Sequence, residues 1–158
     1  MKKQSWAQYV FWILFSEAAG ALSGRLSREG IRTLNETTLQ PSLSPPAIVF
    51  PIVWTILYGL MGISAARVSV KEPSGNRSLG LNLFVVQLVV NFFWSPIFFQ
   101  AKAYGFALIW LLALWFLVFG MILSFEKTDK IASYLQIPYL LWLTFALYLN
   151  WGVWKLNP

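Results

Sequence analysis

Apolar runs alternate with short polar breaks along the whole chain. A transmembrane helix needs about 20 mostly apolar residues. Five runs reach that order of length: residues 6–23, 48–68, 79–99, 103–125 and 131–154. Residues 24–46 form the one long break, "GRLSREGIRTLNETTLQPSLSPP". The others, residues 71–77, 100–105 and 126–130, are tight enough to make neighbouring helices antiparallel. The pattern predicts an all-α membrane protein, a bundle of five transmembrane helices in a single domain over residues 1–158. Five helices do not divide into equal halves, which argues against an inverted-repeat transporter.

Composition supports that reading. The chain is 58% hydrophobic and 11% charged, where a soluble domain has about 25% charged residues. The net charge of +6 comes from cations scattered through the breaks, as in membrane-protein loops. No nucleic-acid partner is expected from that pattern. The chain has no Cys and no His. Disulfides, thiolate chemistry, the commonest metal ligand and the commonest general base are therefore missing. No metal, cofactor or catalytic residue is assigned.

Lys2-Lys3, an apolar core and Ala19-Gly20-Ala21 imitate a cleavable signal peptide. Glu17 just before the supposed site, and Gln8-Tyr9 within the core, favour a retained first helix. Lys2, Lys3, Arg67, Lys71, Arg77, Lys127 and Lys130 fall on one side of the membrane. Arg25, Arg28, Arg32, Lys102 and Lys155 fall on the other. That bias puts the N-terminus in the cytoplasm and the long break outside.

Several spans carry polar groups and prolines. Gln87, Asn91 and Ser95 stand four apart, on one helix face, with Trp94 and Phe98 beside them. Buried amides in lipid need partners, so this face points into the bundle. Pro96 lacks an N–H and frees the carbonyl of Phe92. Trp142, Ala146 and Asn150 repeat the arrangement below Pro138, and Trp54 shares a face with Tyr58 after Pro51. Two readings stand. The polar groups are glue between helices, or they line an aromatic cavity suited to a flat, apolar ligand. Trp6, Trp151 and Trp154 sit near span ends and fit ordinary interface anchoring. Glu17 is the one acid well inside a span. A mid-bilayer acid costs roughly 2.5–3.5 kcal/mol on insertion scales, so it must face the bundle, be paired or be protonated. Gly20 and Gly24 form a GxxxG packing face.

Taken together, "PPAIVFPIVWTILYGLMG" (45–62), "NFFWSPIFF" (91–99), "IPYLLWLTFALYLNW" (137–151) and the terminal "VWKLN" resemble the tryptophan-rich sensory protein/translocator protein family (TspO/MBR, peripheral-type benzodiazepine receptors). The resemblance spans nearly the whole chain. It implies five transmembrane helices, often paired as a homodimer, in a lipid membrane that is bacterial here. It also implies a pocket open toward the first loop. That pocket binds porphyrins, synthetic isoquinoline-carboxamide or benzodiazepine ligands, and in some members sterols. The family's pocket tryptophans match Trp54 and Trp142; its helix-three Asn and Trp match Asn91 and Trp94. The small residue one turn past the last Trp matches Ala146. With Tyr58 and Asn150, these form the expected ligand-binding set, and Arg25, Arg28 and Arg32 are expected to meet ligand carboxylates at the loop.

Two features depart from the family's pattern. Its first loop carries aromatics before Pro-Pro, whereas "RTLNETTLQPSLSPP" has none and the usual Tyr falls near Asn35. The sterol motif's Tyr-to-basic spacing is also missing, since Tyr148 lies too far from Lys155. The expected function is a membrane receptor or carrier for tetrapyrroles, serving porphyrin transport or stress sensing. The alternative is a light- and oxygen-dependent porphyrin-degrading enzyme that uses the pocket tryptophans. An enzyme is the less expected of the two, because no nucleophile–base pair is present. A third class is a regulatory membrane subunit without a ligand of its own.

Overall fold

A computed structural model describes residues 2–158, with side chains from Ser5 onward. The described residues are almost entirely helical and contain no strand. Helix α1 spans Lys2–Leu26, α2 Arg28–Thr37, α3 Val49–Ser69, α4 Gly75–Ser95, α5 Tyr104–Glu126, α6 Lys130–Leu135 and α7 Ile137–Leu156. A π-helical segment, Pro96–Gln100, continues α4.

Among the described residues, four helical stretches are long and apolar enough to cross a membrane: Val49–Ser69, Gly75–Gln100, Tyr104–Glu126 and Lys130–Leu156. Many of their large apolar side chains point outward, among them Ile109, Phe116, Leu141 and Ile56. Lipid, not water, is the solvent that accepts such a surface. The core holds Met61, Phe84, Leu111, Leu114, Phe125 and Tyr139, all nearly inaccessible. Helix α1, 25 residues long, packs chiefly along α3. It is long enough to span, but Gln8, Glu17 and Arg25 dilute its apolar character.

The structure redraws several sequence-based boundaries. The long break is not a loop throughout: α1 runs on to Leu26, and α2 follows after a bend at Ser27. Helix α2 is amphipathic, with Gly30, Ile31 and Leu34 turned inward and Arg28, Arg32 and Glu36 outward. A side chain at Gly30 would collide with the backbone of Phe99, so only glycine lets α2 lie this close to the π-helical segment. Helix α4 begins at Gly75 because Ser74 caps it, its hydroxyl accepting the Arg77 N–H at 3.1 Å. The last span is broken at Gln136, between α6 and α7. Pro138 cannot donate to the carbonyl of Tyr134, and the turn opens there.

Pro96 acts similarly at the end of α4. The carbonyl of Phe92 that it leaves unpaired accepts the Ser23 hydroxyl from α1 at 2.7 Å. Beyond it the ladder widens, with the Ala101 N–H donating to the Pro96 carbonyl at 2.9 Å.

On the opposite end of the bundle, Asp129 caps α6 through the Ala132 N–H at 2.9 Å. It also pairs with Arg67 at 3.0 Å and Lys71 at 2.9 Å, both from the end of α3. Its side chain is only 3% exposed. Burial pushes the carboxyl pKa up, but the Ala132 N–H, Lys71 and Arg67 outweigh it and bring the pKa down to about 2. The sequence offers Lys71 and Asp129 only as connector charges and Arg67 as a charge at the end of the second run; their convergence comes from the fold.

Candidate ligand cavity

A cavity of about 510 Å³ opens among α1, α2, α3, α4 and α7. Ligand sites commonly hold about 300–1,000 Å³. The seven side chains expected to bind ligand all lie on its wall: Trp54 and Tyr58 from α3, Asn91 and Trp94 from α4, and Trp142, Ala146 and Asn150 from α7. Their convergence follows from spacing. Positions three or four apart stack on one helix face, and the three faces meet inside the bundle.

The aromatic walls have definite geometry. Trp54 and Trp142 stand edge to face, 6.5 Å apart at 89°. Trp54 leans on Tyr58 with ring centroids 5.5 Å apart. Tyr58 can lie against α1 because a Cβ on Gly20 would overlap its ring. Gly20 and Gly24 both line the cavity, but only Gly20 is closely packed: a Cβ at Gly24 would meet nothing within 4 Å, so the expected GxxxG packing face is not formed there. Trp94 stacks on Phe98 at 5.1 Å and 22°.

The polar groups are partly committed to one another. Asn91 donates through Nδ2 to the Tyr139 hydroxyl at 2.8 Å, and that hydroxyl donates to Gln87 Oε1 at 2.8 Å. Gln87, Asn91 and Tyr139 are all buried. Asn91 is therefore both interhelical glue and cavity wall, and its carbonyl oxygen has no partner among the described residues. Trp94 Nε1 donates to Asn150 Oδ1 at 3.2 Å, while Asn150 Nδ2 donates to the Tyr104 carbonyl at 2.8 Å. Asn150 thereby ties α4 to the start of α5 and fixes the Trp94 indole.

Arg25, Arg28 and Arg32 do not line the cavity. Arg32 pairs with Glu36 at 3.8 Å on the exposed face of α2, a contact worth little at such exposure. Arg28 stands three residues before Ile31 and seven before Asn35, both of which line the cavity mouth. Ile31, Leu34, Phe50 and Phe99 complete the apolar lining and were not anticipated. The i, i+3 pair Ile31–Leu34 was a visible trace of α2. Asn35, where the family's loop Tyr would fall, is itself on the wall. Asn157 clasps the chain beside the wall residue Gln40. Its Oδ1 accepts the Leu39 N–H at 3.2 Å and its Nδ2 donates to the Leu39 carbonyl at 2.8 Å. No cluster of His, Cys, Asp or Glu arranged for a metal occurs among the described residues.

The TspO/MBR family pattern matches residues 12–155. The chain belongs to the TspO/MBR family. The relatives agree with that membership. The chain is 36% identical over 153 residues to the "Tryptophan-rich sensory protein" of Cereibacter sphaeroides, covering 94% of this chain and 92% of that one. It is 41% identical over 120 residues to "Protein CrtK" of Rhodobacter capsulatus, 75% of each chain. It is also 36% identical over 121 residues to the human "Translocator protein", 75% of this chain and 71% of the human one. Membership and the apolar helices together make the chain an integral membrane protein with bacterial homologues.

Proposed function

We propose that this TspO/MBR protein is a membrane receptor or carrier that holds porphyrins and similar flat, apolar ligands in the cavity between α1, α3, α4 and α7. Its role would be porphyrin transport or stress sensing. The observation that carries the reading is the perpendicular pair Trp54 and Trp142, which shares the wall of one cavity with Asn91. Flat rings are held by such faces, and a few polar groups set their orientation. Sterols and benzodiazepine-type ligands meet the same apolar requirement. Arg25, Arg28 and Arg32, which lie outside the cavity lining, are proposed to meet ligand carboxylates at its rim. Helix α1 is proposed as the fifth span of the bundle, and the chain as a homodimer in the bilayer.

Titration of the purified protein in detergent, followed by quenching of tryptophan fluorescence, tests the reading. With no His or Cys to ligate iron, metal-free porphyrin should bind at least as tightly as haem. Strong preference for haem, or no binding of either, overturns this pocket. Illuminating the complex in air separates holding from degradation. Porphyrin loss that disappears in Trp54→Phe and Trp142→Phe would move the function to catalysis.

A further inference from the structure

Among the described residues, Glu17 is the only charged side chain on the cavity wall. Counted inward from the mouth, the last lining residues of α1, α3, α4 and α7 are Glu17, Tyr58, Asn91 and Trp142. The carboxylate therefore sits at the inner end, remote from the rim arginines. Its Oε1 occupies space left by bare backbone on α3, 3.4 Å from where a Cβ on Gly59 would lie. Among the described residues no cation pairs with it: the ion pairs join Arg32 to Glu36, and Arg67 and Lys71 to Asp129. The hydroxyl of Thr55, another wall residue of α3, is committed to the Pro51 carbonyl at 2.7 Å. An acid used only to join helices would have a partner on the facing helix, and this one has none there.

The walls around this acid are aromatic. Trp54 and Tyr58 are inclined at 30° and Trp54 and Trp142 at 89°, so ring faces turn toward the same space from two directions. Aromatic faces attract cations through their quadrupole, and more strongly where water is excluded. A carboxylate adds a charge-assisted hydrogen bond for an N–H donor. We propose that Glu17 makes this cavity select flat aromatic ligands bearing a positively charged nitrogen, with that nitrogen at the inner end beside Trp54 and Tyr58. The proposal rests on the receptor reading and names the ligand class within it.

Three rings of similar shape test it in a non-ionic detergent at neutral pH: aminoacridine, which is cationic, hydroxymethylanthracene, which is neutral, and anthracene carboxylate. Quenching of tryptophan fluorescence should show the cation binding about tenfold tighter than the neutral ring, the return expected of one charge-assisted contact. The anion should bind weakest. In Glu17→Gln the cation-to-neutral ratio should fall close to one, and in Glu17→Asp part of it should survive. Circular dichroism establishes that each variant is folded. A wild-type ratio near or below one overturns the proposal without any variant, and so does a ratio that persists in Glu17→Gln. If the rings and metal-free porphyrin all fail to bind, the receptor reading itself falls. If porphyrin binds while the cation shows no preference, only the role of Glu17 falls.

Discussion

Asn91 and Tyr139 show how one hydrogen bond can serve two purposes that mutation separates. Asn91→Leu removes a cavity polar group, yet the Tyr139 hydroxyl keeps its bond to Gln87. Porphyrin affinity should fall several-fold, on the order of 1 kcal/mol, with helicity unchanged. Tyr139→Phe instead strips the partner from both Asn91 Nδ2 and Gln87 Oε1. That variant should melt lower in detergent, by roughly 1–3 kcal/mol of stability. If Asn91→Leu binds normally and only melts lower, Asn91 is glue and the cavity does not need it. Asp129 makes a pH-dependent contribution of a different kind. Its folded pKa of about 2 lies below its ordinary 3.8, so the native state favours the charged form. That stabilisation is complete above about pH 4 and is lost as the pH falls toward 2, on the order of 2 kcal/mol in all. Thermal melts across that range should show the loss, and Asp129→Asn should flatten it.

At the scale of the helix, Pro96 and Ser23 form a matched pair. Ser23→Ala leaves the Phe92 carbonyl without its 2.7 Å partner and should cost about 1 kcal/mol. Pro96→Ala supplies an N–H one turn ahead of the same carbonyl, so the Ser23→Ala penalty should shrink in that background. A double-mutant cycle on thermal stability measures the coupling, and strict additivity would mean the two positions are independent. The sequence marked the Phe92 carbonyl as vacant but could not name Ser23, which lies 69 positions away. The same limit applies elsewhere. The wall positions Trp54, Asn91 and Trp142 were legible because helical spacing and lipid burial fix which face turns inward. Helix α2 was not, because ten residues with two inward aliphatics form a stable helix only against a tertiary surface, here Phe99. The break at Gln136 was hidden because Pro138 also fits an unbroken, kinked span.

For the molecule as a whole, the absence of native cysteine makes single introduced thiols clean reporters of topology. Ser5→Cys and Ser74→Cys should react with a membrane-impermeant maleimide from the cytoplasmic side, and Ser44→Cys from the opposite side. Labelling of Ser5→Cys and Ser44→Cys from the same side would mean that α1 does not cross. The clasp between Asn157 and Leu39 bridges 118 positions of chain next to Gln40, a residue of the cavity wall. It ties the end of α7 to the segment that follows α2. Coupling between two sites is reciprocal. A ligand whose binding favours the closed clasp must therefore protect the Leu39 amide from exchange with solvent deuterium by the same free energy by which the closed clasp strengthens that ligand's binding. Asn157→Ala should accordingly weaken porphyrin binding as well as speed Leu39 exchange, and an unchanged affinity would mean that the clasp and the cavity are independent.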